Sequence, residues 1–301
     1  MRRSTIVSRG AGRAARGGYT PAVPAEQIAS NLSLINWTLL TGIAVGMFVL
    51  VAVARLRTAA TKGYLSFTAL CAVGFGVLAY LSDTGLPVIV AGSPVTADPA
   101  YDGARRAALV VFVVLALVTA IVLARGGRAK VPGLAGAAVG LAVLVLGGLT
   151  WGGDPAGVAM LTVQFVMLAL ATGGVFAAMI LGHWYLVTPK LPEAPLVRVS
   201  LGLLWVIALQ VVLFVVWVGT GAGPGATGGP FAALFGPWAL FVWLRLLVGL
   251  VFPLVVSWAA LQTARTRSME SATGLLYINV GTVAAGTIVA AGLYFGAGLL
   301  V

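Results

Sequence analysis

Apolar positions along this chain neither alternate with polar ones nor recur on a single helical face; they fill whole blocks. The run Leu109-Val110-Val111-Phe112-Val113-Val114-Leu115-Ala116-Leu117-Val118 is apolar at every position. A half-buried strand would show a period of two, and an amphipathic surface helix a period of 3.6. A block with neither period belongs to a helix surrounded on all sides by hydrocarbon or by other helices. Eight such blocks lie near 34–54, 63–81, 107–124, 132–151, 158–187, 200–219, 237–260 and 273–300. Crossing roughly 30 Å of hydrocarbon at about 1.5 Å per residue takes roughly 20 residues, which is the scale of these blocks. Transmembrane barrel strands would alternate instead. The predicted fold is all-α, a polytopic membrane bundle of about eight transmembrane helices in one domain over 31–301. A basic tail over 1–30 is expected to be disordered, since it is rich in Arg, Gly, Ala and Pro and has no apolar period.

Composition agrees with the pattern. Sixty per cent of the 301 residues are hydrophobic and 8% are charged, with a mean hydropathy of +1.08. The 18 basic and 7 acidic side chains could not form the polar shell that a water-soluble fold of this length requires. The principal partner is therefore the lipid bilayer, and the expected location is the cytoplasmic (inner) membrane of a bacterial cell.

Charge then orients the helices, because Lys and Arg in short loops are retained on the cytoplasmic side during insertion. Arg55, Arg57 and Lys62 follow the first block; Arg125, Arg128 and Lys130 the third; Lys190 and Arg198 the fifth; Arg265 and Arg267 the seventh. The opposite connections carry Asp83, Asp98, Asp102 and Asp154, with only Arg105 and Arg106 as bases. Both termini are thus predicted on the non-cytoplasmic side. The tail, with Arg2, Arg3, Arg9, Arg13 and Arg16, runs against this assignment, but its last arginine lies well before Leu34 and Glu26 is nearer. It has no central apolar run and so is no secretory signal. The net charge of +11 sits mostly in loops and tail and calls for no nucleic-acid partner.

Several chemistries are excluded by residue count. One cysteine, Cys71, cannot form an intrachain disulfide or a multi-cysteine metal cage, and reads as a small packing residue. One histidine, His183, rules out a His-rich metal site within the chain. No phosphate-binding Gly-x-x-x-x-Gly-Lys-Ser/Thr loop exists to power a pump. No cofactor is required by the sequence; a quinone or a haem is compatible with it.

Small residues four apart let helix backbones approach closely in lipid. Gly42 and Gly46, Gly136 and Gly140, and Gly292 and Gly296 form such pairs and are expected to be packing surfaces, within the chain or against other membrane subunits.

In so charge-poor a chain the informative positions are ionisable or polar groups within the membrane, because each costs several kcal/mol unless it has a partner or a purpose (on the order of 3 kcal/mol at the centre). Arg245 lies within Trp243-Leu244-Arg245-Leu246-Leu247 with no Asp or Glu inside any predicted span to neutralise it. It should snorkel to the outer surface, meet an acceptor such as Gln164, Asp154 or Asp83, or bind an anionic ligand. His183, in Gly182-His183-Trp184-Tyr185-Leu186-Val187-Thr188-Pro189, is an interfacial residue, a proton relay, a donor to a quinone carbonyl, or an axial haem ligand with Met47 as the other. Gly173-Gly174 and Pro253 should interrupt the helices that carry His183 and Arg245, and Tyr277, Asn279 and Gln210 could line the same interior.

Four readings of function follow. A cation-coupled transporter normally places a carboxylate near the midplane, and none is present. A hydrolase needs a nucleophile and base, and His183 has no such neighbours in sequence. The leading expectation is a non-catalytic membrane subunit or quinone-interacting anchor of a larger, respiratory-type complex, with His183, Tyr277 or Arg245 holding the headgroup. The runner-up is a facilitator or transporter for a small solute, with Arg245 as the attracting charge where that solute is an anion.

Overall fold

A computed structural model describes residues 24–57, 60–87, 92–188 and 191–301. The tail before Pro24, together with Thr58, Pro189 and Lys190, falls outside the described residues. Among the described residues every regular element is helical. They are α1 (Pro24–Ser30), α2 (Leu32–Arg57), α3 (Lys62–Thr84), α4 (Asp102–Ala124), α5 (Lys130–Trp151), α6 (Pro155–Val187), α7 (Ala194–Thr220), α8 (Ala239–Leu246), α9 (Phe252–Arg265) and α10 (Met269–Ala297). A π-helical turn, Leu247–Val251, joins α8 to α9, so this pair crosses as one unit. Among the described residues eight units are long and apolar enough to span a bilayer, and the chain is a multi-pass membrane protein.

The helices run past the apolar blocks because their polar ends are helical too. Thr61 caps α3, its side chain accepting from Tyr64 N. Asp154 caps α6 by accepting from Gly157 N at 2.6 Å, with Pro155 behind it in the first turn. Residues 24–30, counted with the tail in the sequence, form the short helix α1, whose Ile28 lies against Gly292 of α10.

α6 is the central helix, with 67% of its apolar window buried. The expected break at Gly173-Gly174 does not occur: α6 is continuous through both. Its glycine serves approach rather than bending. A Cβ on Gly173 would overlap the backbone of Gly46 and Met47 on α2, and one on Gly46 would overlap Ala169. Two backbones in such contact gain dispersion energy that lipid cannot match. Elsewhere Gly136 faces Phe48, Gly140 faces Phe112 and Gly296 faces Trp238. Pro253 does coincide with an irregularity, the π-helical turn that precedes it.

One end of the bundle, where α2 meets α3, α4 meets α5, α6 meets α7 and α9 meets α10, carries the basic connections. The opposite end is closed by aromatic packing: Trp37, Trp151, Phe165 and Phe295 form edge-to-face pairs, and Tyr294 donates to the carbonyl of Trp151 at 2.7 Å. There the turn after α7 lies over the end of α10, with Gly225 N donating to Gly298 O and Leu300 N to Ala222 O.

Candidate functional site

Two buried cationic centres lie in the half of the bundle away from the basic end. The first is an ion cluster that ties α3, α4 and α5 together. Arg105 Nε donates to Asp83 Oδ2 at 2.7 Å and Nη1 to Thr150 Oγ1 at 2.8 Å, while Asp102 is 2.8 Å away. Arg106 Nε donates to the other Asp83 oxygen at 2.9 Å. The Arg105 guanidinium stacks over Trp151 at 4.6 Å and Trp37 at 5.6 Å. Asp83 and Arg105 are fully buried. Spacing along the chain does not reveal this cluster. Asp83, Arg105 and Arg106 looked like loop charges just outside the apolar blocks, although two arginines on the otherwise acidic side were a sign that they were held by a partner. With both acids and bases satisfied, the cluster is a brace.

The second centre is Arg245, and it differs because no Asp or Glu of the described residues pairs with it. Its side chain is 3% exposed, so it turns into the bundle rather than snorkelling to the outer surface. The ion pairs of the described residues involve Arg105, Arg106 and Arg267, not Arg245. The acceptor is Gln210 on α7, whose Oε1 receives Nη2 at 2.7 Å. Gln210 is itself fixed, donating from Nε2 to the carbonyl of Met167 on α6 at 3.0 Å. Nη1 donates to the carbonyl of Gly249 at 3.2 Å. In a regular α-helix that carbonyl would take the N–H of residue 253, and Pro253 has none. The guanidinium therefore supplies a donor where the proline removes one.

The stem of Arg245 occupies a slot made by two glycines. A Cβ on Gly249 would come within 2.6 Å of the Gly286 Cα on α10 and 3.2 Å of Arg245 Nη1. The remaining donor, Arg245 Nε, has no partner, and neither has Gln164 Oε1 of α6. Both residues line one cavity of about 10 Å³, together with Gln210, Trp217 and Val301. That is about the room one water-sized species needs. Trp217 also lines an outer recess of about 190 Å³ framed by Trp238, Ala297 and the turn after α7. The indole thus stands between the recess and the arginine. Gln210 lies ten residues inside the end of α7, about 15 Å along its axis.

Further toward the basic end the same interior holds paired polar groups. Thr172 and Thr287 share a hydrogen bond of 2.7 Å between α6 and α10, and Asn279 Nδ2 donates to Ser257 Oγ at 2.7 Å. The inner faces of α6, α7, α9 and α10 therefore carry polar side chains from Gln164 down to Asn279.

The six residues singled out in the sequence separate into two sets. Arg245, Gln210 and Gln164 meet at the cavity. Asn279 is buried but engaged with Ser257. Tyr277 is 50% exposed on α10, nine residues and about 13 Å from the Gly286 that packs on Arg245. His183 is exposed on α6, 19 residues and about 28 Å from Gln164. Met47 is fully buried with its backbone against Gly173, ten residues and about 15 Å from the level of His183. Two axial ligands of one haem iron cannot be that far apart, so His183 and Met47 do not fit a shared haem. Among the described residues no cluster of His, Cys, Asp and Glu could hold a metal ion. Compared with protein-family models, curated proteins and solved structures, the chain matches none.

Proposed function

We propose that this chain is a facilitator for small inorganic anions, with Arg245 as the charge that attracts and selects them. The observation that carries the reading is a buried guanidinium that no Asp or Glu of the described residues pairs with and whose Nε has no partner, at a cavity shared with the unpartnered amide oxygen of Gln164. An isolated charge in such surroundings is costly unless something of opposite sign visits it. A monovalent anion 4 Å from the guanidinium gains gross attraction of about 4 kcal/mol at an effective dielectric constant near 20. Gln164 can turn its amide so that the NH2 group, not the oxygen, faces the anion. The outer recess behind Trp217 serves as the entry, and the polar faces below serve as the way out. The π-helical turn at Leu247–Val251 and the Gly249–Gly286 contact give α8 and α9 a place to shift. In this reading the basic end faces the cytoplasm and the recess and both termini face outward across a bacterial inner membrane, a sidedness favoured by the loop arginines and lysines.

The experiment is anion flux. Purified protein in proteoliposomes should pass chloride or nitrate into vesicles carrying a halide-sensitive dye, and Arg245→Gln should slow that flux at least tenfold while Arg105-dependent stability is untouched. Wild-type flux in Arg245→Gln removes Arg245 from selection.

The anchor reading, a non-catalytic subunit holding a quinone, stands second. It needs several headgroup donors in one cleft, and His183, Tyr277 and Arg245 lie in three places. Stable co-purification with other membrane subunits would favour it.

A further inference from the structure

Between α2 and α7, over the surface of α6, runs a groove of about 250 Å³ whose lining is apolar apart from one side chain. Val49, Leu50, Val53, Leu170, Leu203 and Val206 form its walls, and Arg198 stands at one end. The groove exists because glycines leave it open: a Cβ on Gly202 would meet nothing within 4 Å, and one on Gly174 only Leu203 Cδ1 at 3.9 Å. Its lining runs from Gly46 to Ala54 on α2 and from Val206 to Arg198 on α7, eight residues or about 12 Å along each helix. One leaflet of hydrocarbon is about 15 Å thick. An apolar channel of nearly that length, ending at a cation at the membrane surface, has the dimensions and polarity of one leaflet lipid.

Charge narrows the occupant. The end of the bundle on which the groove opens carries Arg55, Arg125, Arg128, Arg198, Arg265 and Arg267 against Glu193 and Glu270. Guanidinium groups bind phosphate oxygens in paired hydrogen bonds and attract anionic headgroups at the membrane surface. A neutral quinone head gains nothing from a positive surface of this kind.

We propose that this groove is a binding site for a phospholipid with an anionic headgroup, one acyl chain lying over Gly174 and Gly202 and the phosphate held at Arg198. The site is separate from Arg245.

The test is lipid retention by the full chain in mild detergent, after delipidation and addition of phosphatidylglycerol, phosphatidylcholine or oleate at equal concentration, read by native mass spectrometry. Wild type should keep one phosphatidylglycerol per chain and at least fivefold less phosphatidylcholine. Arg198→Gln should lose that preference and Arg198→Lys keep part of it. Gly202→Leu, which fills open space without a clash, should reduce retention of both phospholipids while its melting temperature in neutral detergent stays at the wild-type value. Equal retention of the two phospholipids, or unchanged retention in both Arg198→Gln and Gly202→Leu, overturns the proposal. Oleate retained as well as phosphatidylglycerol overturns the phospholipid assignment.

Discussion

Arg245 donates to Gln210 Oε1 at 2.7 Å, a charged donor on a neutral acceptor, and no Asp or Glu of the described residues pairs with it. The bond joins α8 to α7, and through the second amide hydrogen bond to α6. Hydrogen bonds to charged groups are worth about 1.5–3 kcal/mol. A double-mutant cycle of Arg245→Ala and Gln210→Ala, followed by reversible unfolding in mixed micelles, should therefore give a coupling in that range. Additive single changes would show that the pair is not formed.

The ion cluster under Trp37 makes the opposite prediction to Arg245, one of stability without function. Asp83 serves both Arg105 and Arg106. Asp83→Asn leaves Arg106 without its acid and Arg105 with only the partly exposed Asp102, and should destabilise the protein by about 3–5 kcal/mol, the usual cost of breaking a buried pair. Arg106→Gln, which removes the more exposed partner, should cost much less. Thermal unfolding of the two variants in one detergent checks the ranking.

The glycine slot around the guanidinium is a third point of leverage. A methyl group on Gly249 meets the Gly286 backbone, which cannot rotate away. Gly249→Ala should cost about 1–3 kcal/mol by overpacking and lower anion flux by displacing Arg245. Gly281→Ala, where the added Cβ meets nothing within 4 Å, is the control and should leave both unchanged.

His183 separates the transport reading from the redox ones. Since it is exposed and far from the Arg245 cavity, His183→Ala should keep wild-type anion flux. The measurement includes a visible spectrum: a Soret band in wild type that disappears in the variant would restore a haem role.

The spans were legible because hydrocarbon demands unbroken apolar runs, and each run in this sequence is a helix in the structure. The ends were not, because Asp102, Arg105, Arg106 and Asp83 are polar yet helical, held by one another rather than by water. The periodicity of a single chain segment carries no record of which side chains from other helices will face it. For that reason Arg245 stands out in the sequence as a buried charge, while Gln210 is one of several interior amides and nothing in the sequence marks Trp217. Gly173-Gly174 misled for a related reason. A glycine pair weakens an isolated helix, but here the lost side chains are replaced by the backbone of α2.

The central claim is that the unused Nε of Arg245 faces a place where an anion sits. Diffraction from crystals grown in bromide, recorded at the bromine edge, tests it most directly. The account predicts one anomalous peak within about 4 Å of Arg245 Nε, beside Gln164, that is absent in Arg245→Gln. Density for water alone at that position, with bromide bound only at the surface, would contradict it.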